Sequence, residues 1–385
     1  MRIAALIVAV FLALPGADAA FAKRVQLRET IRTLESIQDK TAFGDQGAAD
    51  RQSKLIIQIE ADLNNATVTE LQDERNLKAI AVYLFSGGGP DVAERRLTSL
   101  TVAPEIKTVL DGALAYARAD KVNANKYLSG VHPADLPANL GGRVALVKAI
   151  LIADEDPTRA LNLLSMARVM MPGTLVEEAA LRRCISFSAR LSDVRHVEQC
   201  GSNYIRRFST SVYRQEFNDN FVLALIQVDY LGAAGNLEAL DVVLNDLPPA
   251  ERRMMLLAIA RAAIGRGKLA LASACAGKAL EIPQTGRLEM ARANLYLGAA
   301  MIVRNELDAG KEKLLSVDNG LLDGPDTALF KKASGLAAQI SERPKLSGDE
   351  MAPAPANEEP DSAMFKNVVA RAERALADAS ATLSN

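Results

Sequence analysis

The chain has no tryptophan, only two histidines and three cysteines, and aromatic side chains make up 4% of its 385 residues. With so few large rings, a core must be filled by Leu, Ala, Val and Ile, which suits close-packed helices better than an aromatic-rich sheet. Two histidines leave little room for His-based catalysis or metal binding. An excess of either charge is missing too, since 45 Lys and Arg face 47 Asp and Glu for a formal net charge of −2. A dedicated nucleic-acid binder normally carries a basic excess or stripe, so no nucleic-acid partner is expected. What is abundant is apolar: 49% of residues are hydrophobic and 24% charged, which excludes a wholly disordered chain. The length allows two or three domains, or one elongated array.

Long hydrophobic runs are absent after the N-terminus. Arg2 supplies a positive charge, residues 3–14 are apolar, Pro15-Gly16 end the run, and Ala17-Asp18-Ala19 gives a small-x-small cleavage pattern. Residues 1–19 therefore read as a secretory signal peptide. The alternative, an uncleaved anchor, needs a run of about 20 apolar residues, and this one is shorter. Residues 254–264 come nearest to a second span, but Arg261 interrupts them and Arg252-Arg253 precede them. No cysteine follows the first run, so a lipoprotein anchor is not expected. The expectation is an exported chain that does not span a membrane once cleaved, which in a bacterium means the periplasm.

An oxidising compartment changes how Cys184, Cys200 and Cys275 read. If residues 177–191 and 194–208 form an antiparallel helical hairpin turning at Ser192-Asp193, Cys184 and Cys200 lie at similar distances from the turn on opposite arms. They are candidates for a disulfide, with two buried free thiols as the alternative. Cys275, between Ala274 and Ala276, reads as a small core residue.

Helical periodicity dominates the rest. Leu27, Ile31, Leu34 and Ile37 share one face, Gly44 stops that helix, and Asp45 is placed to cap the next. Turns recur near Gly89-Pro90-Asp91, Asp120-Lys121, Asp156-Pro157, Ser192-Asp193, Gly235-Asn236, Gly267-Lys268 and Asn305-Glu306. Their spacing of about 30 to 43 residues brackets the 34-residue tetratricopeptide unit. The expected fold class is all-α, a TPR-like α-solenoid of stacked helical hairpins. An irregular all-α domain is the alternative, because no unit carries the full repeat signature. The expected domains are an N-terminal helical pair over 20–70, helical repeats over 71–342, a Pro- and acid-rich linker over 343–361, and an amphipathic helix over 362–385. That last helix could dock on the array or bind a partner.

Motifs that carry chemistry are scarce. His196 and Cys200 stand four residues apart on a helix but lack further metal ligands nearby. Gly87-Gly88-Gly89-Pro90 lacks the Gly-Lys-Ser/Thr that a phosphate loop needs and reads as a helix stop. Glu177-Glu178 at a helix start suit the positive end of that helix. No catalytic, cofactor-binding or metal-ligating residue is assigned, and no enzyme activity is expected.

Three stretches carry a specific likeness. They are Leu34-Glu35-Ser36-Ile37-Gln38-Asp39-Lys40 leading to Gly44-Asp45-Gln46-Gly47-Ala48, then Tyr83-Leu84-Phe85-Ser86-Gly87-Gly88-Gly89-Pro90, and then Pro172-Gly173-Thr174-Leu175-Val176-Glu177-Glu178-Ala179-Ala180-Leu181-Arg182-Arg183. With the signal peptide, helical pairs and acidic linker, the chain resembles the MotC family of rhizobial periplasmic motility proteins. The resemblance implies a non-enzymatic flagellar motor component that binds the periplasmic part of the stator protein MotB. Glu177, Glu178, Arg182 and Arg183, in the most family-like stretch, are candidate partner-binding residues, although packing alone would explain that stretch equally well. A generic exported scaffold or chaperone unrelated to motility is the competing reading, and an exported hydrolase or lyase with clustered acids a more distant one.

Overall fold

The apolar periodicity is realised as helix throughout a computed structural model that describes residues 17–342, Asn236 and Thr285 excepted. The described residues contain no strand. The first helices in chain order are α1 (Ala17–Thr41), α2 (Ala48–Asn65), α3 (Val68–Gln72), α4 (Glu74–Phe85), α5 (Pro90–Leu97), α6 (Pro104–Ala117) and α7 (Lys121–Leu128). The middle of the chain forms α8 (Ala138–Ile152), α9 (Pro157–Met170), α10 (Leu175–Arg190), α11 (Val194–Phe208), α12 (Arg214–Gln227) and the short α13 (Tyr230–Ala234). Then come α14 (Glu238–Leu244), α15 (Pro249–Gly265), α16 (Leu269–Glu281), α17 (Arg287–Val303), α18 (Leu307–Leu315) and α19 (Gly324–Glu342). One unit ends at Ala337, and residues 338–342 are the end of α19. The expected signal run over residues 1–16, the linker over 343–361 and the helix over 362–385 lie outside the described residues.

Local chemistry explains where these helices begin. The side chains of Asp120, Asp156, Asp193 and Thr174 accept the backbone N–H of Asn123, Arg159, His196 and Glu177, capping α7, α9, α11 and α10. Thr67 and Glu70 form a reciprocal capping box at α3. Asp45 does not cap α2 as its position suggested. It stays in the preceding turn, where its carboxylate accepts the Gly47 N–H and pairs with Arg51, and Gly47 takes the cap position.

The turns between paired helices repeat one geometry. Ala119, Ser192, Gly267 and Asn305 adopt left-handed φ values of 58°, 55°, 69° and 67°. The next residue in each case donates its N–H back five residues: Asp120 to Ala115 O, Asp193 to Ser188 O, Lys268 to Ala263 O and Glu306 to Met301 O, all at 2.9 Å. This pairing satisfies the carbonyls stranded at a helix C-terminus and reverses the chain within three residues. Gly87 and Gly88 repeat it after α4, Gly88 N–H reaching Tyr83 O at 2.9 Å. Gly88 has a second reason to be glycine, because a Cβ there would lie 2.4 Å from the Tyr83 ring.

The turns at Ala119, Ser192, Gly267 and Asn305 fold a second helix back on its first, pairing α6 with α7, α10 with α11, α15 with α16, and α17 with α18; α8 pairs with α9 through a turn in which Asp156 N–H returns four residues to Ile152 O at 2.8 Å. First helices also meet one another: α4 packs on α6, α10 on α12, α12 on α15, and α15 on α17. One pair leaves an apolar face uncovered, so the pairs bury it against each other. Leu34, Ile59, Leu63, Leu71, Ile80 and Tyr83 are fully buried in the first part of that core.

Helix α1 does more than pair with α2. It also touches α4 and α10, and its last turn and the loop after it reach the turn between α11 and α12. Thr41 O accepts the Val212 N–H at 3.1 Å. Gly44, at φ 90°, comes so close to Thr210 that a Cβ would sit 2.5 Å from its carbonyl oxygen. A single helix thus straps together elements far apart in sequence.

Candidate interaction site

The strap crosses the start of α10, where Thr174, Glu177 and Glu178 stand among Leu175, Val176, Ala179 and Ala180. Four backbone N–H groups at a helix N-terminus need outside acceptors. Here Thr174 Oγ1 takes the Glu177 N–H at 3.5 Å, and Asp39 of α1 takes the Leu175 N–H at 2.9 Å across 136 residues of sequence. Glu177 folds back so that its Oε2 accepts the Gly173 N–H at 2.7 Å, while its other oxygen pairs with Arg207 at 2.8 Å.

At the next residue, Glu178 is fully buried and its carboxylate is saturated. It accepts from Arg182 Nε at 3.1 Å and Nη2 at 3.2 Å, from Tyr204 Oη at 2.7 Å and from Ser211 Oγ at 3.2 Å. Arg182 also reaches Glu216 of α12 at 2.5 Å and lies over the Tyr213 ring, 4.7 Å from its centre. Burial opposes the guanidinium charge, yet Glu178 and Glu216 together hold its pKa above the ordinary value. Burial pushes the Tyr204 phenol up, and the Glu178 charge adds to that, so the hydroxyl stays protonated and donates.

A second network joins α1 to α4 and α8. Arg143, buried in α8, pairs with Glu35 at 3.0 Å and donates from Nε to Ser86 Oγ at 3.1 Å, while Gln38 Nε2 donates to Ser86 O at 2.7 Å. Burial lowers the Arg143 pKa; Glu35 and Asp39 counter it. Asp39 is raised, chiefly by burial.

Where the strap ends, apolar side chains face outward. Phe43, Val212 and Tyr213 are 53%, 39% and 37% exposed and lie at the meeting of the strap with the α11–α12 turn. The Phe43 ring packs 5.7 Å from Phe208, and the Arg207 guanidinium lies 5.8 Å from the centre of that same ring. Arg168 sits nearby with its pKa lowered, first by burial and then by Arg207, against the attraction of Glu177.

A family model described as "Chemotaxis protein MotC" matches residues 1–385. The chain belongs to the MotC family. A Chemotaxis protein MotC of Rhizobium meliloti (strain 1021) is 28% identical over 337 residues, covering 86% of this chain and 76% of the relative. No solved structure matches. The family is one of motility and chemotaxis proteins, in agreement with the resemblance read from the sequence. The three stretches that carried that resemblance meet in space: Gln38 and Asp39 from the first bind Ser86 of the second and Leu175 of the third.

The candidate partner-binding residues are mostly turned inward. Glu177, Glu178 and Arg182 are buried, and their charged atoms are taken by Arg207, Tyr204, Ser211 and Glu216. Arg183 is half-buried with no hydrogen-bond partner for its Nε, and its pKa is lowered by burial and then by Arg182. Cys184 and Cys200 are bonded to each other with Cα atoms 6.3 Å apart, and Cys275 is a buried free thiol. His196 Nδ1 lies 2.7 Å from Asp193 Oδ2, while Cys200 is taken by its bond to Cys184. No group of three or more metal-ligating side chains occurs among the described residues, and none of their helices is long and apolar enough to cross a membrane. Glu35, Asp39 and Ser86 lie in the family-like stretches, but nothing in the sequence marks their pairing with each other's elements or with Arg143. Arg143 left a signal of its own, as a lone charge inside the apolar run Gly142-Arg143-Val144-Ala145-Leu146-Val147; such a charge must find a partner when it is buried.

Proposed function

We propose that this protein is a periplasmic, non-enzymatic part of the flagellar motor that binds the periplasmic portion of the stator protein MotB. The family match across the whole chain carries the motility reading. Binding rather than catalysis is favoured by the fate of the charged groups at the strap: Glu177, Glu178 and Arg182 are spent on internal pairs, whereas apolar Phe43, Val212 and Tyr213 face solvent. In this reading the stacked pairs form a TPR-like array that the strap keeps rigid, and a rigid surface loses little entropy when a partner settles on it. A difference in affinity between two stator states would shift the stator toward the better-bound one. Export follows from the signal-like residues 1–19, and cleavage after Ala19 would leave Ala20 as the first residue.

The test joins three measurements. Mass spectrometry of the periplasmic fraction should find a mature N-terminus near Ala20. Deletion of the gene should abolish or impair swimming, and tagged mature protein should recover MotB from periplasm. Normal swimming in the deletion strain, together with no recovery of MotB, overturns the proposal.

A further inference from the structure

Two adjoining hollows of opposite charge flank α4, and the strap borders the first of them. The first, of about 270 Å³, lies between α1 and α4 and carries Arg28, Arg32, Arg75 and Lys78 over an apolar floor that includes Ile31 and Val82. Glu35 also lines it, but Arg143 already pairs with that carboxylate at 3.0 Å. The second, of about 530 Å³, lies between the starts of α4 and α6 and the loop before α8. It carries Glu74, Glu105 and Asp135 around Ile106, Val109 and Leu136. Lys78 lines both hollows and pairs with Glu74 at 2.5 Å, so the two share that side chain as a border and the lining charge changes sign across it; the two are taken together as one groove.

Discounting the internal pairs leaves Arg28, Arg32 and Arg75 at one end and Glu105 and Asp135 at the other. Among the described residues no ion pair links any of these five to an opposite charge, although several Lys–Asp and Arg–Asp pairs form elsewhere on the surface. Like charges held side by side without a counter-charge repel one another, and an occupant of opposite sign relieves that repulsion. An anionic lipid surface or a polyanion would be repelled by the acidic end, and a polycation by the basic end. The geometry points to a polypeptide segment as occupant: acidic residues over Arg28, Arg32 and Arg75, apolar residues across the middle, and basic residues over Glu105 and Asp135. This inference rests on the protein-binding reading above and names a docking surface distinct from the exposed Phe43, Val212 and Tyr213.

Binding of the purified MotB periplasmic domain to the full mature chain, by titration at low and at high salt, tests it. Two charge-reversal variants disable the ends separately: Arg28→Glu/Arg32→Glu and Glu105→Lys/Asp135→Lys. Lys331→Glu/Lys332→Glu, on exposed positions of α19, changes net charge as much as the first variant and serves as the control. Both groove variants should bind about tenfold more weakly at low salt, the control should bind as the parent does, and the deficit should shrink at high salt. The thermal midpoints should match the parent's. If Arg28→Glu/Arg32→Glu unfolds at a lower temperature, Arg75→Glu on exposed Arg75 replaces it. Parent-like binding by groove variants that remain folded overturns the groove as the docking surface and leaves the partner assignment standing. No binding by the parent chain itself overturns that assignment and the groove with it.

Discussion

Replacing Glu178 by alanine separates a structural carboxylate from one that meets a partner. The side chain is fully buried and accepts from Arg182, Tyr204 and Ser211. Its loss leaves a buried guanidinium with Glu216 as its remaining carboxylate, and strands two hydroxyls that lost their acceptor. Removing one member of a buried ion pair costs roughly 3–5 kcal/mol. Glu216 is 54% exposed and still reaches Arg182 at 2.5 Å, so part of the charge remains compensated. About 3 kcal/mol is therefore expected at neutral pH, the low end of that range. Urea titration followed by far-ultraviolet circular dichroism reads the change as a lower midpoint, and hydrogen exchange should quicken in α10 to α12 before α17. Glu178→Gln should lose nearly as much, because it keeps the shape and removes the charge. Adding Arg182→Met to Glu178→Gln should restore a good part of the loss, since neither buried charge is then left alone. A Glu178→Ala chain within about 0.5 kcal/mol of the parent would refute the reasoning, that being the range of an ordinary surface substitution.

Reduction of the Cys184–Cys200 bond, or Cys184→Ser/Cys200→Ser, should lower stability by about 3 kcal/mol in the loop-entropy account; the bond joins residues 16 apart, and the urea midpoint under reducing conditions checks it. Burial pushes the Cys275 thiol pKa up, so a thiol reagent should label it only after unfolding, and labelling at native urea concentrations would refute its burial. Asp39 has a folded-state pKa above its ordinary 3.8, so its ionised form costs stability at neutral pH, and that cost disappears as pH falls through the raised value. The parent should therefore gain on Asp39→Asn, which keeps an oxygen for the Leu175 N–H, as urea midpoints are followed from neutral pH toward 3.8. Gly44→Ala meets both an unfavourable φ and the Thr210 carbonyl, and should cost about 1–3 kcal/mol, read as a lower thermal midpoint with faster exchange at the Val212 amide.

Helix starts and turns were legible because their causes are local. Asp120, Asp156 and Asp193 each cap the helix that follows within three residues. The five-residue return at Ala119, Ser192, Gly267 and Asn305 needs only one left-handed residue and the end of its own helix. Near Gly235 the reading was coarser, because α13 and α14 are short and α14 has no side-chain cap to mark its start. The Cys184–Cys200 pair was legible for the same local reason, both cysteines lying on the arms of one hairpin.

Which charges face inward was not legible. Glu177-Glu178 at a helix start look alike in sequence whether they meet solvent or the interior. Asp45 looked like a cap and became a turn residue paired with Arg51. Composition and period thus determine an all-helical chain with repeating turns, since hydrogen bonds and apolar spacing within a few residues are enough for that. The tertiary structure alone decides that α1 runs on to α10, that Asp39 caps a helix 136 residues away, and that opposite charges line two hollows sharing Lys78. Those outcomes depend on desolvation and on distances between charges remote in sequence, which exist only once the helices have packed.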